Sequence, residues 1–447
     1  MKVMALNCGS SSDKYMVYDW EKRRIMCKGI VERVTLGGSF CVHEVTGREA
    51  VRLEHECPTH LEAVEFILRL LESPEHGVLS SVRELDAVGH RVVHGGERFA
   101  RSVLIDAEVL ATFKELEGLA PLHNPPNVMG IEAAQRLLPD VPHVAVMDTA
   151  WHQTMAPAQY LYAVPFEWYE KYRIRRYGFH GTSLLYVTKR AAALLGKDPF
   201  QVNLVCLHIG NGVSANAVKN GVSFDTSMGF TPLEGLIMGT RAGDHDAALD
   251  FYVMQKENLS PQEMDAILNK KSGLLGITGK YADRRDILAA MEQGDERARL
   301  AFEMETYRIR KYVGAYAAAV GGIDAVVWTA GVGEMAAPIR AEAMRGLEFM
   351  GIKLDPARNA AARSRNAEFE ISTDDSPVKV LVIPTDEEIV FVEDVVALLE
   401  GRYDVHTRFH YTFQDPGYRN RMREAEFERE LAERPELARA LRRPPGA

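Results

Sequence analysis

Three times along the chain an apolar run of strand length breaks directly into a glycine turn. The turns read NCGSSSDK from Asn7 to Lys14, HIGNGVS from His208 to Ser214 and TAGVGE from Thr329 to Glu334. Glycine lets the backbone approach an anion closely and adopt positive φ, so amides in such turns can converge on phosphate oxygens. Each turn alone is more readily an ordinary tight turn. Together, with the hydroxyls of Ser10, Ser11 and Ser12 and the ammonium of Lys14, they point to a nucleotide site. None fits a Walker A loop or a GxGxxG fingerprint, so the common nucleotide folds are not indicated.

The pattern around these turns is mixed α/β. Strands are expected at Val3–Cys8, Tyr15–Trp20 and Ala87–Val93, with an amphipathic helix at His60–Leu71. A second set follows, with strands at Leu204–Ile209 and Ala325–Thr329 and a long helix from Asp295 to Val320 closed by Gly321 and Gly322. At 447 residues the chain is long for one core and fits two domains. From Gly401 onward the composition shifts to Arg, acidic residues and Pro. This stretch reads as an appended charged tail, with a helix at Met422–Arg434 solvated on the surface or packed on a partner subunit.

Charge narrows the partners. The formal net charge is -10 and no basic block occurs, which argues against nucleic acid. An anionic substrate must then be drawn in by local cations. The N-terminus lacks a signal peptide's apolar core, and no run of about 18 apolar residues occurs to span a membrane. Cys8, Cys27, Cys41, Cys57 and Cys206 are odd in number and form no CxxC pair, which argues against a disulfide framework and a zinc cluster and suits a reducing cytoplasm.

Four further segments carry candidate chemistry. In GHRVVHGGERF, Arg91 stands two residues before Val93 on an expected strand, so both side chains share a face, and a cation beside an apolar surface suits a short carboxylate. Arg241 follows Gly239 in the glycine-rich loop MGTRAGDHD. His123 lies in APLHNPPN and His180 in YGFHGTS. A cap at Thr182 or Ser183 on the helix through Val187 and Ala193 would put His180 beside its positive end.

With MDTAWHQTM, DTSMGFTPLEGLIMGTRAGD and PTDEE added to these segments, the chain from Met1 to about Glu400 resembles the acetate kinase family. The resemblance implies two related ribonuclease-H-like α/β domains of the actin-like ATPase kind around a central cleft, assembled as a homodimer. Residues 1–150 plus about 386–400 would form the N-terminal domain. Residues 151–385 would form the C-terminal domain with the nucleotide site, and 401–447 the extension. The implied reaction is reversible transfer of the ATP γ-phosphoryl to acetate, giving acetyl phosphate and ADP, with Mg²⁺ as cofactor and Mn²⁺ as a substitute.

The resemblance also assigns residues. Asn7, Ser10, Ser12 and Lys14 match the first phosphate loop, and Arg91, His123, Asp148, His180, Asn211 and Arg241 the catalytic set, with His180 and Arg241 stabilising the transition state. Asn7 and Glu387 match the metal-associated positions. Val93, Leu122, Phe179 and Pro232 match the apolar pocket for the acetate methyl. His208, Gly210, Gly212, Asp283, Arg284, Arg285, Gly331, Val332, Gly333, Glu334 and Met335 fall on the nucleotide side. Departures from the family pattern are Cys8 for Ala, Asp13 for Leu, Leu184 for His, Asp386 for Asn, Arg284 for Phe, and Met335 with Ala336 for Asn and Ser. Arg284 is expected to lay its guanidinium against the purine in place of the ring.

Overall fold

The computed structural model describes residues 1–119 and 124–446, so Leu122 and His123 lie outside the described residues. The chain forms two compact units, Met1–Gln153 with Asp386–Tyr411, and Thr154–Thr385 with Thr412–Ala447. The charged tail therefore does not stand apart. Its first residues fold with unit 1 and the rest with unit 2.

Unit 1 is built on strands β1 (Lys2–Cys8), β2 (Ser12–Asp19), β3 (Arg24–Glu32), β4 (Phe40–Val45), β5 (Val51–Glu54), β6 (Ala87–Val92), β7 (Val103–Leu104) and β8 (His143–Met147), in sheet order β5-β4-β3-β2-β1-β6-β8-β7. Helix His60–Leu71 starts where Thr59 accepts from the Leu61 amide, and its buried Ala63, Val64, Ile67, Leu68 and Leu71 follow helical spacing. Helix Glu387–Leu399 packs on β1, β6 and β8, and a Cβ at Gly89 would meet Val395 at 2.9 Å. Its cap is Asp386, whose side chain accepts from the Ile389 amide, so the departure from Asn still caps the helix.

Unit 2 repeats the core plan with β9 (Leu204–Ile209), β10 (Val213–Lys219), β11 (Val222–Thr226), β12 (Ala325–Thr329), β13 (Phe369–Glu370) and β14 (Lys379–Val382), in order β11-β10-β9-β12-β14-β13. In each sheet a three-strand antiparallel meander (β1-β2-β3, β9-β10-β11) continues through its first strand into two parallel neighbours (β6 and β8, β12 and β14). Helix Glu296–Val320 is capped by Asp295 and stopped by Gly321 at φ 87. Helix Arg421–Glu433 presents Phe427 inward, and beyond it Leu441 bridges Phe369 of β13 while the Glu370 amide donates to the Ala440 carbonyl at 2.8 Å.

Candidate active-site residues in each unit

In unit 1 the β1–β2 hairpin carries the first phosphate loop. The turn closes with the Gly9 amide on the Ser12 carbonyl at 2.8 Å, and Asn7 pairs with Lys14 across the strands on the less buried face. Their neighbours Cys8 and Asp13 pair on the opposite, core-facing side. Ser10 is exposed and Ser12 half-buried.

On β6, the parallel neighbour of β1, Arg91 grips Asp148, just past the end of β8, in a two-point fork with Nε to Oδ1 at 2.9 Å and Nη2 to Oδ2 at 2.7 Å. Asp148 is 2% exposed. Its carboxylate holds the guanidinium charge well above the ordinary arginine range against the cost of burial. The half-buried Glu387, at the start of its helix, is pushed up to about 7 by burial. Arg91 and Lys14 oppose that shift, and Asp148 and Glu388 add to it.

Val93 does not share the strand with Arg91. β6 ends at Val92, because the next residues are held by side chains and not by the sheet. The Val93 amide donates to Asn127 Oδ1 at 3.0 Å, and Asn127 Nδ2 donates to the Cys8 carbonyl at 2.6 Å. Asn124 brackets His94 in the same manner, accepting from its amide at 3.1 Å and donating to its carbonyl at 3.0 Å. Asn127 thus ties the phosphate hairpin to the backbone of the expected acetate wall. Both asparagines lie in the segment HNPPN, directly after His123.

In unit 2 the turn between β9 and β10 places Gly212 beside two other candidates. A Cβ there would meet His180 Nε2 at 3.5 Å and Arg241 Nη1 at 3.7 Å. His180 itself is the residue before helix Gly181–Leu195, at φ 58, and makes no side-chain cap. Ser183 is not the cap either, since its hydroxyl is 2.8 Å from His208 Nδ1. The His180 and His208 rings stack at 4.0 Å, and His180 Nδ1 is 3.0 Å from Ser214 Oγ. Gly239 has no room for a side chain, because a Cβ would lie 2.1 Å from Asn211 Oδ1.

Arg241 is the exception among these groups. Its Nη1 donates to the Pro232 carbonyl at 3.3 Å and lies 3.8 Å from Met238 Sδ, and among the described residues no carboxylate pairs with it. Burial therefore lowers its pKa with no compensating charge. Pro232 is held in place by a network in which Arg176 donates to the Thr226 carbonyl at 2.9 Å and to Glu234 Oε1 at 2.7 Å, while Tyr162 donates to Glu234 and accepts from the Phe230 amide at 2.9 Å. Phe179 is buried at 3% exposure.

The nucleotide-side candidates divide. Arg284 does not offer its guanidinium to a base. It is 5% exposed, paired with the buried Glu305 at 2.7 Å and donating to the Gly210 carbonyl at 2.7 Å, so it braces the β9–β10 turn from behind. Asp283 caps the following helix and pairs on the surface with Arg285 at 2.6 Å. TAGVGE forms a short helix, Ala330–Met335, directly after β12, and not an open turn. Gly331 and Val332 are half-buried and Gly333 buried within it, and a Cβ at Gly331 would approach Arg365 Nη2 at 2.9 Å. Glu334 is buried and accepts from the Thr385 amide at 3.3 Å, whereas the Met335 side chain is 37% exposed. Arg340, which no motif signalled, fastens this helix from inside with bonds to the Gly333, Glu334, Asn359 and Ala362 carbonyls and to Asn359 Oδ1. Burial pushes its pKa down to about 9, which leaves it charged at neutral pH.

The sequence profile of the Acetokinase family matches residues 2–393. The chain belongs to that family. Among Acetokinase relatives, acetate kinase of Geobacter metallireducens is 60% identical over 413 residues, covering 92% of this chain and 98% of that protein. Acetate kinase of Treponema pallidum is 59% identical over 439 residues, covering 98% of each. The crystal structure of Porphyromonas gingivalis acetate kinase superposes with TM-score 0.86 at 47% identity, over 89% of this chain and 99% of that one. That of a propionate kinase from Francisella tularensis gives 0.81 at 37% identity, over 88% and 98%. These likenesses establish the actin-like ATPase fold expected of an Acetokinase member.

Proposed function

We propose that the chain is an acetate kinase, transferring the γ-phosphoryl of ATP reversibly to acetate. The observation that carries this reading is Arg241, a half-buried guanidinium with no carboxylate partner among the described residues, set beside His180 and the Gly212 backbone. A cation left uncompensated in such a place is poised for an anion.

Acetate is ionised at neutral pH and needs no general base; its difficulty is repulsion from the γ-phosphate. In-line transfer through a loose, metaphosphate-like state places charge on the equatorial oxygens, so catalysis rests on positioning and neutralisation. Arg241 would neutralise those oxygens and His180 donate to one of them. Arg91, oriented by Asp148, would present its remaining donors to the acetate carboxylate. By the family resemblance, Val93, Leu122, Phe179 and Pro232 are the positions proposed for the acetate methyl. Ser10, Ser12 and Lys14 would meet phosphate oxygens. Gly210, Asn211 and Gly212, with Gly331 to Met335, would bind the nucleotide, and Arg284 would act through the Gly210 backbone.

Asn7 and Glu387 fit a hard divalent cation such as Mg²⁺, or Mn²⁺ in its place. Both offer oxygen donors, and the carboxylates of Asp148 and Glu388 add negative potential at Glu387. When bound, the ion supplies charge neutralisation on the phosphates.

A homodimer is supported by Leu300, Met304 and Tyr307, which lie one helical turn apart and are 49%, 39% and 58% exposed, and by exposed Phe251 and Tyr252 on helix Ala248–Glu257. A cytoplasmic location is supported by five buried, unpaired thiols. Among the described residues no helix is long and apolar enough to cross a membrane.

A second acceptor, propionate, is favoured by the Francisella tularensis neighbour. The test is a hydroxamate trap for acyl phosphate with Mg²⁺ and acetate, propionate or butyrate, using ATP, GTP or pyrophosphate as donor. Acyl phosphate from ATP and acetate at the highest kcat/KM is the expected result. Preference for propionate gives the case to the second acceptor, and no product with any pair removes the reading.

A further inference from the structure

The unusual residues behind the phosphate hairpin converge. Cys8 and Asp13, where the family pattern has Ala and Leu, are cross-strand partners on the core side of β1 and β2. His60, which opens helix His60–Leu71, reaches the same point, with Nδ1 2.8 Å from Asp13 Oδ1. One thiol, one carboxylate oxygen and one imidazole nitrogen lie within 4.8 Å of one another, on side chains 3%, 0% and 2% exposed. The other carboxylate oxygen, Asp13 Oδ2, is buried and has no hydrogen-bond partner among the described residues. Room for the thiol comes from Gly130 on helix Asn124–Leu137, where a Cβ would sit 2.3 Å from Cys8 Sγ.

We propose that Cys8, Asp13 and His60 form a buried site for one divalent cation of the zinc class. An orphaned carboxylate oxygen at zero exposure is costly unless something pairs with it, and a cation supplies that partner. Thiolate and imidazole select a borderline-soft ion over Mg²⁺, which prefers oxygen donors throughout. Charge closes as well, since a thiolate and a carboxylate balance a dication when the imidazole is neutral. The expectation that the cysteines form no zinc site considered cysteine spacing alone, and this site draws a single cysteine with two other residue types. Its place gives it a role. The ion would pin the hairpin to helix His60–Leu71 from the core side, steadying the turn whose other face carries Asn7 and Lys14.

The chain produced in zinc-supplemented medium and dialysed against EDTA should retain about one zinc per chain by elemental mass spectrometry. The double variant Cys8→Ala/Asp13→Leu, which restores the family pattern, should retain none while keeping a native circular-dichroism spectrum. Chain produced with cobalt in place of zinc should show a thiolate-to-cobalt charge-transfer band that Cys8→Ala abolishes and Cys57→Ala leaves in place. Zinc content equal in wild type and double variant, or cobalt-grown protein without the band, would overturn the site and leave a plain buried His60–Asp13 pair.

Discussion

Each unit contributes one arginine to the proposed chemistry, and the two are held in opposite ways. Arg91 sits in a two-point fork with Asp148, its direction fixed and its charge largely answered within unit 1. Arg241 donates to a carbonyl and lies beside a thioether, with its charge unanswered among the described residues. A paired guanidinium serves geometry, because its planar donors are pre-aimed and little reorganisation accompanies binding. An unpaired one serves electrostatics, because its field is fully available to whatever anion arrives. The same loss of an arginine should therefore mean different things in the two units.

The largest effect is expected for Arg91→Ala. Turnover should fall by about three orders of magnitude. The fold should also weaken by roughly 3 kcal/mol, since Asp148 is left buried and unpaired. Thermal unfolding read beside steady-state kinetics checks both, and an unchanged melting temperature would contradict the structural half of the role. Next comes Arg241→Ala, with turnover down by about 10²–10³-fold and the melting temperature unchanged or higher, because no partner is stranded. A large drop in its stability would break the contrast between the two arginines.

Much of this was legible in the sequence. β9 and β12 lie where the apolar runs put them, and the long helix follows its Asp295 and Gly321 boundary signals, because periodicity and caps are local. Partners were not legible. Asp148 is 57 positions from Arg91 and Glu305 is 21 from Arg284, so only the tertiary fold decides that one arginine is braced and another buried. The Arg284 expectation failed for this reason: replacing an aromatic ring suggested a stacking surface, while a carboxylate from the long helix claimed the guanidinium. Val93 slipped from its strand for a related reason, since Asn127 competes for its amide.

A smaller effect tests the acceptor side. Val93→Ala should shift kcat/KM toward butyrate over acetate by about tenfold, the worth of one or two methylenes in an apolar pocket. An unchanged ratio would remove Val93 from the wall.

The last prediction compares two buried carboxylates of unit 1. Asp148 has a guanidinium, whereas Asp394 has hydroxyls, with Ser102 donating at 2.5 Å and Tyr411 at 2.8 Å. Burial pushes Asp394 up to about 7, its hydroxyl partners only partly opposing. A folded pKa above the ordinary carboxylate value favours the protonated fold. That stability is fully present below about pH 4 and is lost as pH rises through 7, to a limit of about 4 kcal/mol. Asp394→Asn should flatten the fall in melting temperature between about pH 4 and 7 and leave turnover unchanged. A wild-type-like slope in the variant would assign the pH dependence to other groups.

The pairing of Leu441 and Ala440 with β13 bears on how the protein can be handled. β13 is the outermost strand of its sheet, and an uncovered edge is a template for adding strands from other molecules. Trimming the chain after Glu400, as the end of the family resemblance invites, would strip that guard and uncover the apolar surface under Phe413 and Phe427. Such a truncation should form inclusion bodies on expression, so the tail counts as a solubility element of the protein.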